Sequence, residues 1–180
     1  MQVTGIILAG GKSSRMGSDK GLLEYAGIPL VQYSINACRE ITGEIMISAN
    51  NPEYGRFGFP VVSDNFPGIG PIGGLEAALS VSKTRINMVL PCDMPGVSAE
   101  LLNLLLRYGD TGKTLVIRDM GGKVYPVLGL YPSLALPVIR EQIKLGEYRM
   151  TSLLAKLDAG TLTAAPGAKL DNINIPGDLI

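Results

Sequence analysis

Val3-Thr4-Gly5-Ile6-Ile7-Leu8 runs directly into Ala9-Gly10-Gly11-Lys12-Ser13-Ser14-Arg15-Met16-Gly17-Ser18-Asp19-Lys20. The first six residues are a continuous β-rich run with no polar alternation, the pattern of a strand buried on both faces and so of a parallel sheet covered by helices on either side. A glycine-rich turn comes next. Glycines let a backbone approach a phosphate without a Cβ clash, and successive N–H groups can surround its oxygens. Ser13, Ser14, Arg15 and Lys20 add donors and positive charge. Two common phosphate motifs do not fit. The P-loop needs a glycine five residues before the Gly-Lys pair, but that position is Ile6, and G-x-G-x-x-G fails because Gly10 and Gly11 are adjacent and the next glycine is Gly17. A turn that merely joins strand to helix accounts for Gly10 and Gly11, but not for Arg15 with Lys20.

Working outward, strand and helix patterns alternate. Leu30, Ser34, Ala37, Cys38 and Ile41 recur at helical spacing behind Pro29, placed at the first helical position. Glu44 to Ala49 and Pro60 to Ser63 read as strands, Pro71 to Ser82 as a helix and Ile86 to Leu90 as a strand buried on both faces. Ser98 can cap a helix running through Arg107. Thr114 to Arg118 and Lys123 to Tyr131 read as a hairpin around Gly121-Gly122. Helices near Ser133 to Lys144 and Arg149 to Asp158 precede a last strand, Thr161 to Ala165. The alternation predicts a three-layer α/β/α sandwich with a Rossmann-like, mostly parallel sheet and one antiparallel strand. Its ligands would bind outside the carboxyl ends of the strands.

Composition narrows the chemistry. The chain has 180 residues, with 16 Lys plus Arg against 16 Asp plus Glu, two cysteines and no histidine. That length fits a single domain over residues 1–180, which would bury roughly 70% of its unfolded surface. Zero net charge, evenly spread, argues against a nucleic-acid or membrane-binding arm. Without histidine there is no Ser-His or Cys-His pair and no imidazole base. Carboxylates, lysine, arginine, backbone amides or a hard metal ion must carry any reaction. Cys38 and Cys92 are too few for a disulfide framework and read as buried thiols. The first residues lack a basic signal-peptide region and no span of about 20 apolar residues occurs, so a cytoplasmic protein is expected.

The pattern L-A-G-G-x-x-x-R-M-G-x-x-K resembles the signature of nucleotidyltransferases, and the wording around it resembles the molybdenum cofactor guanylyltransferases. Similarity continues through Gly70-Pro71-Ile72-Gly73-Gly74-Leu75, Pro91-Cys92-Asp93-Met94-Pro95, Tyr125 to Tyr131 and Asn172-Ile173-Asn174-Ile175-Pro176-Gly177-Asp178-Leu179. The resemblance implies one nucleotidyltransferase domain. It would transfer GMP from GTP to the terminal phosphate of molybdenum-bound molybdopterin, releasing pyrophosphate, with Mg2+ as cofactor. It also implies transient contact with molybdenum-insertion proteins or acceptor molybdoenzymes. A cytidylyltransferase of the same fold and a nucleotide-binding adaptor without turnover are the alternatives.

Residue by residue, the resemblance assigns catalysis to Arg15, Lys20 and Asp93, and GTP binding to Leu8, Ala9, Gly10, Lys20, Asp64 and Asp93. It assigns the metal to Asp93 and the pterin to Asn172 and Asn174. Asp93 lies just past a buried strand, where a carboxylate projects into the cleft, and magnesium needs few protein ligands when phosphate oxygens complete its shell. Arg15 offers a planar fork and Lys20 a compact charge. Alternatives stand beside these: a surface salt bridge of Lys20 with Asp19 or Glu24, a turn-forming Asp64, a solvated Asp93 and a plain C-terminal loop around the asparagines. The chain departs from the family pattern in having Tyr125 for a common histidine and Ser48 for a common asparagine, with Asn50 able to reach in from the next loop.

Overall fold

The structure is a computed structural model that describes residues 2–9, 19–109 and 111–173. Along the chain its elements are β1 (Val3–Leu8), β2 (Glu24–Tyr25), β3 (Ile28–Pro29), α1 (Leu30–Arg39), β4 (Ile45–Ser48), β5 (Val61–Val62), α2 (Pro71–Val81), β6 (Ile86–Pro91), α3 (Ala99–Tyr108), β7 (Leu115–Arg118), β8 (Val124–Pro132), α4 (Leu136–Lys144), α5 (Met150–Lys156) and β9 (Gly160–Thr163). Seven strands form one sheet in the order β5-β4-β1-β6-β8-β7-β9. β8 is antiparallel to both neighbours, and every other pairing in this sheet is parallel. The expected single antiparallel strand is therefore β8.

β1 lies inside the sheet between β4 and β6, and all six of its residues are buried. It pairs with β4 from Gly5↔Ile45 to Leu8↔Ser48 and with β6 from Val3↔Ile86 to Leu8↔Pro91. Its side chains alternate between two cores. Val3 and Ile7 join α1 and α3 through Ile35, Leu102 and Leu105, while Ile6 and Leu8 join α2, α4 and α5 through Ile72, Leu75, Ile139 and Leu153. Helices on both faces explain why β1 and β6 read as mainly apolar runs without polar alternation.

Element ends shift by a residue or two from the sequence reading, as helix and strand ends do. Pro29 is corrected more substantially: it closes β3 with extended backbone (φ −54°, ψ 136°) and caps α1 from outside, so Leu30 is the first helical residue. The β2–β3 hairpin turns through Ala26 and Gly27, both at positive φ (49° and 75°). That conformation is usually written Asn-Gly, so the sequence signal is weak.

Candidate functional site

β5, β4, β1 and β6 run parallel, so their carboxyl ends at Val62, Ser48, Leu8 and Pro91 emerge along one edge of the sheet. From β1 the chain moves outward to β4 and β5, then crosses back to β6 on the other side of β1. This reversal is the topological switch point at which open α/β sheets bind ligands. Two groups of polar residues occupy it.

The first gathers around Asp93, just beyond β6. Pairing of β6 with β1 continues past the strand through Cys92 N–H, which donates to the Leu8 carbonyl at 3.1 Å, and this fixes the next residue at the cleft. Lys20 Nζ lies 2.7 Å from Asp93 Oδ2, the two side chains being 17% and 18% exposed. Asn172 Nδ2 donates to the same oxygen at 3.1 Å, and Ile173 N–H donates to the Asp93 carbonyl at 2.9 Å. The structure therefore joins three sequence-predicted residues, and Lys20 is drawn across the cleft to Asp93.

The second group lies at the ends of β4 and β5. Asn50 and Asp64 clasp each other: Asn50 Nδ2 donates to Asp64 Oδ2 at 3.0 Å, and Asp64 N–H donates to Asn50 Oδ1 at 2.9 Å. Ser48 is buried beneath them. A Cβ built on Gly74 would lie 2.6 Å from Ser48 Oγ, 3.4 Å from Asp64 Oδ1 and 3.5 Å from Leu8 Cδ2, so Gly74 allows α2 to approach all three. Ala9 N–H donates to the Ser48 carbonyl at 2.9 Å. The next residue, Asn65, donates to buried Glu76 of α2 at 2.9 Å, and Arg140 of α4 holds the other oxygen of that carboxylate at 2.8 Å. The sequence reading missed Glu76, because a carboxylate amid Leu75, Ala77 and Ala78 gives no sign of partners 11 and 64 positions away.

Gly10, Arg15 and Asn174 lie outside the described residues. Tyr125 takes a different place from any imidazole role: it is buried at the start of β8, its hydroxyl donates to Asp119 Oδ2 at 3.1 Å, and Lys123 Nζ sits 4.7 Å from its ring centroid. Among the described residues, no three carboxylate or thiol side chains converge to hold a metal unaided. The donor set at Asp93, one carboxylate beside an amide, nevertheless suits a hard cation whose remaining ligands are phosphate oxygens and water. The ammonium of Lys20 on that carboxylate shows that the position accepts positive charge. Burial, with Asp93 and Asp19 adding to it, pushes the Cys92 thiol well above its usual range, so Cys92 serves as packing beside the site. No helix among the described residues is long and apolar enough to cross a membrane.

Residues 5–161 match a family described as the MobA-like NTP transferase domain. A probable molybdenum cofactor guanylyltransferase of Flavobacterium johnsoniae is 35% identical over 98% of this chain and 94% of its own length. A molybdenum cofactor guanylyltransferase of Serratia proteamaculans is 34% identical over 99% of this chain and 93% of its own. Among solved structures, molybdopterin-guanine dinucleotide biosynthesis protein A of Archaeoglobus fulgidus superposes with a TM-score of 0.82 at 22% identity, covering 98% of this chain and 94% of that one, a likeness of fold.

Proposed function

Because this chain belongs to the MobA-like NTP transferase family, we propose that it is a molybdenum cofactor guanylyltransferase. It transfers GMP from GTP to the terminal phosphate of molybdenum-bound molybdopterin. An oxygen of that phosphate attacks the α-phosphorus, the bond to the bridging oxygen of the β-phosphate breaks, and pyrophosphate leaves. A phosphate oxygen is already a competent nucleophile, so a chain without histidine lacks nothing the step requires. Positioning of two polyanions and neutralisation of their charge must be supplied.

The observation that carries this reading is the Lys20–Asp93 contact of 2.7 Å across the switch point. It supports assigning phosphate oxygens to the Lys20 ammonium and the metal to the Asp93 carboxylate at one place. Asp93, with Asn172 beside it, would hold Mg2+, and the bound ion would neutralise triphosphate oxygens. Lys20 and Arg15 bind phosphate oxygens, Leu8, Ala9 and Gly10 meet the ribose and base through the backbone, and Asp64 accepts guanine N–H donors. Asn172 and Asn174 are the residues we assign to contact with the pterin substrate. Buried free thiols at Cys38 and Cys92 suit a cytoplasmic setting.

The test is pyrophosphate release with molybdenum-molybdopterin and Mg2+, with GTP and CTP compared. Turnover at least tenfold faster with GTP supports the proposal. Preference for CTP assigns a cytidylyltransferase, and nucleotide binding without release assigns an adaptor.

A further inference from the structure

Tyr54 is the largest side chain that the sequence reading passed over at the site, and it is fully buried. It sits on a six-residue 3-10 helix, Pro52–Phe57, that the local sequence builds firmly: Asn51 Oδ1 accepts from Glu53 N–H at 3.0 Å, proline stands at the first position, and Gly58 closes the helix in the left-handed region. Its phenol oxygen reaches two residues far apart in sequence. It lies 2.5 Å from Asp19 Oδ1 and 3.2 Å from the Ala9 carbonyl oxygen, one proton serving both acceptors and the shorter contact going to the charged one. Ala9 is where the chain leaves β1, and Asp19 is the last residue before Lys20.

Two further observations make this more than packing. Asp19 occupies the N-cap position of the turn Lys20–Leu22, yet its side chain makes no capping bond. An aspartate there ordinarily accepts from the turn's own N–H groups, so turning to Tyr54 forgoes a local partner. Gly21 is buried against the same hydroxyl. A Cβ there would collide with Tyr54 Oη and stand 3.2 Å from Cys92 Sγ. The residue after Lys20 is thus pressed against the residue before Asp93, which puts the Lys20 ammonium and the Asp93 carboxylate within reach of each other.

We propose that Tyr54 is a positioning residue for nucleotide binding, its hydroxyl tying Ala9 to Asp19 and thereby fixing the end of β1 relative to Lys20 and where Lys20 points. The proposal rests on reading residues 8–20 as the triphosphate-binding segment. Tyr54 touches no reacting atom. Its role is to hold Ala9, Asp19 and Lys20 in place before GTP arrives, which lowers the ordering cost charged to binding.

Tyr54→Phe removes the hydroxyl and keeps the ring. In the full-length protein, assayed well below its melting temperature, it should raise the KM for GTP about tenfold or more, the size of one hydrogen bond to a charged group, with kcat within about threefold. Asp19→Ala should do the same, and the double variant should be no worse than either alone, since both break the same tie between Ala9 and Asp19. Asp19→Asn keeps an acceptor for the phenol and should restore KM to within about threefold of wild type. Amide hydrogen exchange of the ligand-free protein reads the same tie without substrate: Tyr54→Phe should accelerate exchange over residues 9–22 and leave β8 unchanged. A lowered melting temperature with unchanged KM and unchanged exchange over 9–22 overturns the proposal, as does an additive double variant. If Tyr54→Phe does not fold, the Asp19 variants and their exchange decide alone. A wild-type protein that fails to turn over GTP would remove the guanylyltransferase reading while the exchange measurement still judges Tyr54.

Discussion

Asp93 Oδ2 accepts from Lys20 and Asn172 at once, and both donors reach it from more than 70 positions away. Such a carboxylate is held in one orientation without being sealed from the cleft, since it and Lys20 keep 17–18% of their side-chain exposure. Asp93→Ala should therefore leave the far-ultraviolet circular dichroism unchanged while cutting turnover by about 10³-fold, the scale of losing a principal electrostatic contributor. Lys20→Ala should raise the GTP concentration needed for half-maximal rate. Near-wild-type rates for Asp93→Ala would remove the metal role from this residue. Lys20 and Asp93, which the structure brings together, could be picked out in the sequence because one follows the Gly-rich stretch after β1 and the other the end of β6. Their partners could not. The ion pair of Lys20 with Asp93, the clasp of Asn50 on Asp64 and the tie from Tyr54 to Asp19 join positions 14 to 73 apart, and only the register of the sheet brings them together.

At the level of elements, legibility followed burial. β1 and β6 announced themselves because residues covered on both faces are mostly apolar, Thr4 and Asn87 being the buried polar exceptions, and α3 because Ser98 caps it, its Oγ accepting from Leu101 N–H at 3.4 Å. The β2–β3 hairpin gave no such pattern: two short strands, neither buried throughout, meet at Ala26-Gly27. Alanine at φ 49° is strained by its Cβ, which asparagine tolerates better in this turn. Ala26→Asn should accordingly stabilise the protein by about 0.5–1 kcal/mol, read as a higher urea midpoint at unchanged slope. An unchanged or lower midpoint would show that the strain is relieved by other means.

Over the whole molecule, several weakly acidic groups lie in the two cores. Burial pushes the Cys38 thiol up to about 12 from 9.0 and raises the Cys92 thiol and the Tyr54 and Tyr131 phenols above their ordinary values. Each folded-state pKa lies above its unfolded value, so the folded chain keeps protons that the unfolded chain releases. The resulting stabilisation is complete below pH 9 and is lost as pH rises beyond it. Stability should fall between pH 9 and 12 by about 1 kcal/mol per pH unit for each such thiol, measured as a declining urea midpoint. A flat midpoint over that range would contradict the burial of these groups. The same burial should keep both thiols from reacting with a thiol reagent until the protein unfolds.

The position of β1 also governs how the chain comes into being. Of the seven strands β1 is made before the others and lies inside the sheet, and its two edges are closed at different times, by β4 and then by β6, with Thr4 bonded to Thr84 across 80 steps of chain. A nascent chain that has reached β5 holds an apolar strand with one side still unpaired and one helical layer still unmade. Until the β6 segment leaves the ribosome, that open edge is a template for other strands, so the early polypeptide is the stage at which this protein most needs protection from association.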